Sequence, residues 1–102
     1  MELESYTFVL LRRGPRADEY SEAELEEIQA GHLAFLDRMR REGHMVFSGP
    51  FRDQDDETKR GFSMYRTSLE ETRRLTENDP AVKAGRMSVE AMTWLTEKGA
   101  LA

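Results

Sequence analysis

The hydrophobic period of this chain changes from two residues to about 3.6 and back, twice over, and that order constrains its fold more than any single motif does. Ser5 to Arg12 alternates, with Tyr6, Phe8 and Leu10 on one side and Thr7, Val9 and Leu11 on the other. Both sides carry apolar residues, so the segment predicts a strand with at least part of each face covered. Gly14-Pro15 ends it. Ser21, followed three residues later by Glu24, forms a capping-box signature that opens a proline-free helix running to Arg41. Acidic residues crowd the start of this helix and Arg38, Arg40 and Arg41 its end, as the helix dipole favours, and Gly43 stops it. Leu25, Ile28, His32, Phe35, Leu36 and Met39 fall on one stripe. Gly31, beside His32, is a poor helix former that lets another backbone or a ligand come close.

A second strand is predicted over His44 to Phe51, with His44 to Ser48 closed by Gly49-Pro50, because proline cannot donate within a central ladder. Arg52 to Arg60 is too densely charged for a strand and reads as a hairpin tip. Alternation resumes from Gly61 to Arg66. Ser68 with Glu71 is a second capping box, and Leu69, Thr72, Leu75 and Thr76 make a narrow helical face ending near Asn78. Asp79-Pro80 must leave the helix. A short loop through Lys83-Ala84-Gly85 then leads to a last strand, Met87 to Leu95. The order strand, helix, strand, strand, helix, strand matches the ferredoxin-like split unit, an α+β fold with two helices on one face of a four-stranded antiparallel sheet. Val9, Leu11, Val46, Tyr65, Met92 and Trp94 are expected on the opposite face. That group is too apolar to leave in water, so a homodimer through this face is expected.

With 102 residues there is room for one domain, residues 1–102, and any active site must use it or two copies of it. The net charge of −5, with both signs spread along the chain, argues against nucleic acid and anionic membrane as partners, since both reward a basic patch. Apolar runs fall far below the roughly 18 residues that span a bilayer, and Met1 to Glu4 lacks a signal-like start, so a cytoplasmic protein is expected. Without cysteine there is no thiolate nucleophile and no Cys-type metal site.

His32 is the first candidate for chemistry, because an imidazole in an apolar stripe is costly unless its nitrogens find partners. The alternative is a structural histidine bonded to a backbone carbonyl. Asp79 stands where a helix ends, a place where Asp commonly bonds its own backbone two residues on. In the expected topology that helix end also approaches the helix bearing His32. A carboxylate on one imidazole nitrogen would fix the tautomer and leave the other free as a base. Ser48, Gly49 and Pro50 are either a strand terminus or a pocket edge binding a polar substrate group, with Gly49 admitting close approach. His44 reads as a dipole partner or a solvated residue. Arg12 and Arg13 either attract an anionic substrate or solvate an edge, and Asp53, Asp55, Asp56 and Glu57 read as a solvated loop. The two histidines give no metal signature, no Gly-x-Ser-x-Gly elbow occurs, and the glycines form no phosphate-cradling motif.

Taken together, Tyr6 to Leu11 with Gly14-Pro15, His32-Leu33, Gly43 before a strand ending Ser48-Gly49-Pro50, Gly61, Asp79-Pro80, and Ala84-Gly85 before a strand with Trp94 give a chain that resembles the YciI-like, or YCII-related, proteins. The resemblance implies a ferredoxin-like fold of the dimeric α+β barrel type and an active site built on a His and an Asp, here His32 and Asp79. One related member is a dehydrochlorinase acting on a chlorinated hydroxyquinol. Relative to shorter members this chain has extra residues between Gly14 and Ser21 and a charged Arg52 to Arg60 loop. The expectation is a homodimeric enzyme using neither metal nor organic cofactor. His32 would act as general acid or base, oriented by Asp79, in elimination or isomerisation of a small aromatic or hydroxylated metabolite held by Ser48, Gly49 and Pro50. The alternative is a non-catalytic small-molecule-binding or accessory module of the same fold.

Overall fold

A computed structural model describes residues 1–101. Its elements are β1 (Leu3–Arg13), α1 (Glu22–Arg41), β2 (Met45–Pro50), β3 (Lys59–Tyr65), α2 (Leu69–Thr76), α3 (Pro80–Lys83) and β4 (Met87–Glu97). All strand pairings are antiparallel and the sheet order is β2-β3-β1-β4. This is the expected α+β ferredoxin-like arrangement. The added element is α3, where the sequence predicts a loop: Pro80 takes its first position, where the missing N–H costs nothing, and Asp79 caps it.

Helix α1 starts as its sequence dictates. The Ser21 hydroxyl accepts the Glu24 N–H at 3.2 Å, and the Glu24 carboxylate accepts the Ser21 N–H at 2.9 Å. Those bonds to Ser21 hold the Glu24 carboxyl below its ordinary range. Ser21→Ala should therefore cost about 1 kcal/mol and lower Tm by about 5 °C, read by thermal unfolding. At α2 only half of the second box forms, the Ser68 hydroxyl accepting the Glu71 N–H at 3.2 Å.

The core lies between helices and sheet, where Phe35, Leu36 and Met39 of α1 meet Val9, Leu11, Met45 and Tyr65. The face assignment read from the sequence is thus corrected. Val9, Leu11 and Tyr65 point to the helices, while Met92 and Trp94 do lie on the open face. Because both sides of β1 are apolar, alternation alone cannot orient it. Along β2 the alternation is broken outright: Met45 pairs with Tyr65 but Phe47 with Met64, so Val46 is an extra, bulged residue and Phe47 turns to the open face. That face carries Phe8, Phe62, Phe47 and Phe51 as a packed aromatic group, with Phe8 and Phe62 stacked at 5.0 Å between ring centroids. Gly49 and Pro50 belong to β2 rather than closing it, because β2 is an edge strand and a proline there interrupts no central ladder.

Candidate active site

His32 sits midway along α1 on the buried stripe and is only 4% exposed. A ring that deep must have a partner for its N–H. Asp79 supplies it, with its Oδ2 2.7 Å from the His32 Nδ1, and is itself 2% exposed. The junction of α2 and α3 delivers this carboxylate. Its other oxygen, Oδ1, accepts the Ala81 N–H at 2.9 Å and caps α3, so both lone-pair edges are held by the fold. What approaches Gly31 is this same junction: a Cβ on Gly31 would lie 3.1 Å from the Pro80 ring carbons. A larger residue would press α3, and Asp79 with it, away from His32. Nearby, burial and the charge of Asp79 both raise the Tyr65 phenol above its ordinary range, so it stays protonated.

With Nδ1 on the carboxylate, a neutral imidazole carries its proton there and presents the lone pair of Nε2. Among the described residues no fully buried side-chain nitrogen or oxygen lacks a partner. Among the described residues no hydrogen bond engages Nε2, which leaves that nitrogen without a partner in the protein. His32 forms part of the wall of a cavity of about 260 Å³ that Ser48, Gly49 and Pro50 also line. Two separate stretches singled out in the sequence therefore converge on one space, and Asp79 stands behind the histidine rather than in the wall.

The family model of the YCII-related domain matches residues 8–95. The chain belongs to that family. This YCII-related chain is 30% identical over 93 residues to the uncharacterized protein YjpA of Bacillus subtilis (strain 168), covering 91% of this chain and 99% of that protein. Among solved structures it is similar to the 5-chloro-2-hydroxyhydroquinone dehydrochlorinase TftG from Burkholderia phenoliruptrix AC1100, in complex with 2,5-dihydroxybenzoquinone. The TM-score is 0.59 at 20% identity, over 89% of this chain and 93% of that one. It is also similar to SnoaB, a cofactor-independent oxygenase from Streptomyces nogalater, with a TM-score of 0.52 at 20% identity, over 95% of this chain and 97% of that one. At such identities the likeness is one of fold.

Several features of this YCII-related site differ from the sequence reading. The Ser48 hydroxyl is 2.8 Å from the hydroxyl of the buried Ser63, its cross-strand partner, and donates weakly to the Phe62 carbonyl at 3.3 Å. Ser63 escapes a reading of the sequence, because a serine within an alternating strand carries no local signal of its own. Within the protein the tight backbone contact between β2 and β3 is at Gly61. A Cβ on Gly61 would lie 2.4 Å from the Gly49 carbonyl oxygen, whereas one on Gly49 would meet nothing within 4 Å.

Arg12 and Arg13 are engaged elsewhere. The former pairs with Glu90 at 2.8 Å and Asp56 at 3.3 Å, and the latter with Asp18, whose carboxyl it holds below the ordinary range. The arginines that do line the cavity are Arg40 and Arg60. In the sequence one reads as a dipole partner and the other as the end of a loop. Asp56 organises the hairpin tip, accepting the Thr58 N–H at 3.0 Å and the Thr58 hydroxyl at 2.6 Å, bonds that lower its pKa. His44 pairs at 3.5 Å with Glu42 and does not line the cavity.

Proposed function

We propose that this protein is a small acid/base enzyme in which the Nε2 of His32 takes a proton from a substrate held in the cavity. The observation that carries the reading is the 2.7 Å contact between His32 and Asp79 beside a cavity also lined by Ser48, Gly49 and Pro50. On accepting the proton the ring becomes a cation, which the Asp79 carboxylate stabilises in place. In an elimination, the electron pair left on the substrate forms a new double bond while a leaving group departs with its own pair. In an isomerisation, the same proton returns to a different substrate atom. Neither step calls on a cofactor. The cavity is smaller than the roughly 300 Å³ at the lower end of drug-sized sites, which fits a single-ring substrate such as a hydroxylated aromatic metabolite.

The test is a panel of halogenated and hydroxylated monocyclic compounds, followed by halide release and by absorbance, with His32→Ala as the matched control. A turnover that falls about 10²- to 10⁴-fold in the variant is expected. Equal rates in the two proteins would leave the non-catalytic binding module as the better account, a reading that the low exposure of His32 also favours.

The same reading takes the working form as a homodimer, and the cytoplasm as its compartment. Support for the dimer comes from the open sheet face, where Trp94 is 38% and Met92 43% exposed beside the packed phenylalanines. Contiguous apolar surface of that kind is characteristic of interaction sites. Sedimentation at micromolar concentration should give twice the chain mass, and Trp94→Glu should return it to one. A single-chain mass for the unaltered protein would overturn the dimer. No helix among the described residues is long and apolar enough to cross a membrane.

A further inference from the structure

We propose that the His32 cavity is selective for small organic oxyanions, with an apolar body seated on Leu11, Leu36 and Met87 and a carboxylate or phosphate group held by Arg40 and Arg60. This rests on reading the cavity as the substrate site. Although the chain carries a net charge of −5, among the described residues no carboxylate lines the cavity, and both of its formally charged wall residues are arginines. Their charge is also largely uncommitted. Among the described residues Arg60 has no acidic partner within salt-bridge distance, and Arg40 has only Asp37 at 3.8 Å. Asp37 is bound more closely by Arg41, at 2.8 Å.

The placement of Arg60 comes from a β-bulge. Leu11 pairs with Gly61 but Arg12 with Lys59, so Arg60 is the extra residue on β3, at the cavity. Bulges next to sites commonly re-aim a side chain in this way. A second, smaller cavity of about 90 Å³ adjoins the same residue and is lined by Arg60, Arg86, Met87 and Arg13, the last of which is already paired with Asp18, so that Arg86 is what extends the basic rim. Guanidinium groups bind carboxylate and phosphate through paired, charge-assisted hydrogen bonds, and two of them beside a base would also favour an anionic intermediate.

Binding of benzoate against its neutral isostere benzamide, and of phenyl phosphate against phenol, tests this by calorimetry and by amide chemical shifts at Gly49 and Gly61. At least one anion should bind about tenfold or more tightly than its neutral counterpart, and the larger ratio identifies the preferred group. Arg40→Gln and Arg60→Gln should each lose several-fold of that preference and the double variant all of it. Arg74→Gln, on the exposed side of α2, should lose none. Equal binding of anion and isostere, absence of binding by all four probes, or an equal loss in Arg74→Gln would overturn the proposal. His32→Gln separates the two claims: it should keep the anion preference even if turnover proves independent of His32.

Discussion

Asp79→Asn is expected to lower turnover by about 10²- to 10⁴-fold while leaving the protein folded. The amide oxygen can keep the Ala81 N–H that the Oδ1 of Asp79 accepts at 2.9 Å. Its NH₂ then faces the His32 Nδ1, where the carboxylate oxygen now sits at 2.7 Å. Two donors cannot share that contact, so the ring proton moves to Nε2 and the lone pair needed in the cavity is lost. Asp79→Ala acts differently. It leaves an imidazole N–H and a buried backbone N–H unpaired, at a cost of about 2–4 kcal/mol, and Tm should fall by 10 °C or more, on the order of that energy. The ¹⁵N shifts of the His32 ring read the tautomer directly: Nδ1–H in the unaltered protein and Nε2–H in Asp79→Asn. If the tautomer switches and turnover stays level, Nε2 is not the base.

Gly61→Ala should cost about 3 kcal/mol, seen as a lower urea midpoint, and Gly49→Ala within about 0.5 kcal/mol of nothing. The contrast comes from the backbone. The added methyl at position 61 would meet the Gly49 carbonyl at 2.4 Å and the Pro50 Cα at 3.0 Å, neither of which can swing aside as a flexible side-chain end does. At position 49, which pairs with Phe62, the methyl would point to the open face of the sheet and meet nothing within 4 Å. That variant should keep its stability. Equal stability of the two variants would mean that β2 and β3 separate more readily than their pairing implies.

The element order is legible because each segment carries its own period and its own stop: Ser21 and Glu24 for α1, Gly43 after it, Asp79-Pro80 after α2. His32 and Asp79 are legible for a related reason. One is a polar residue in an apolar stripe, and the other stands at a helix end that the topology carries back to that stripe. The positions that escape such a reading depend on pairing register, which no local pattern records. Val46 and Arg60 are extra residues at bulges, and each turns the next residues of its strand to the other face. The pocket arginine is therefore hidden in what looks like a loop end, and Tyr65 reads as an open-face residue although it packs against the helices. Ser63 and the tight contact at Gly61 likewise exist only once β2 lies beside β3.

The divided carboxylate of Asp79 bears on how sequences of this kind should be compared. One oxygen serves a helix start and the other an imidazole, so, under the acid/base function proposed above, a descendant that abandoned chemistry would still keep the aspartate for its architectural duty. Its presence in a distant cousin is weak testimony to a working enzyme. Under the same proposal the histidine, for which no bond to the backbone is found among the described residues, is the position whose replacement would mark a lineage that has changed trade.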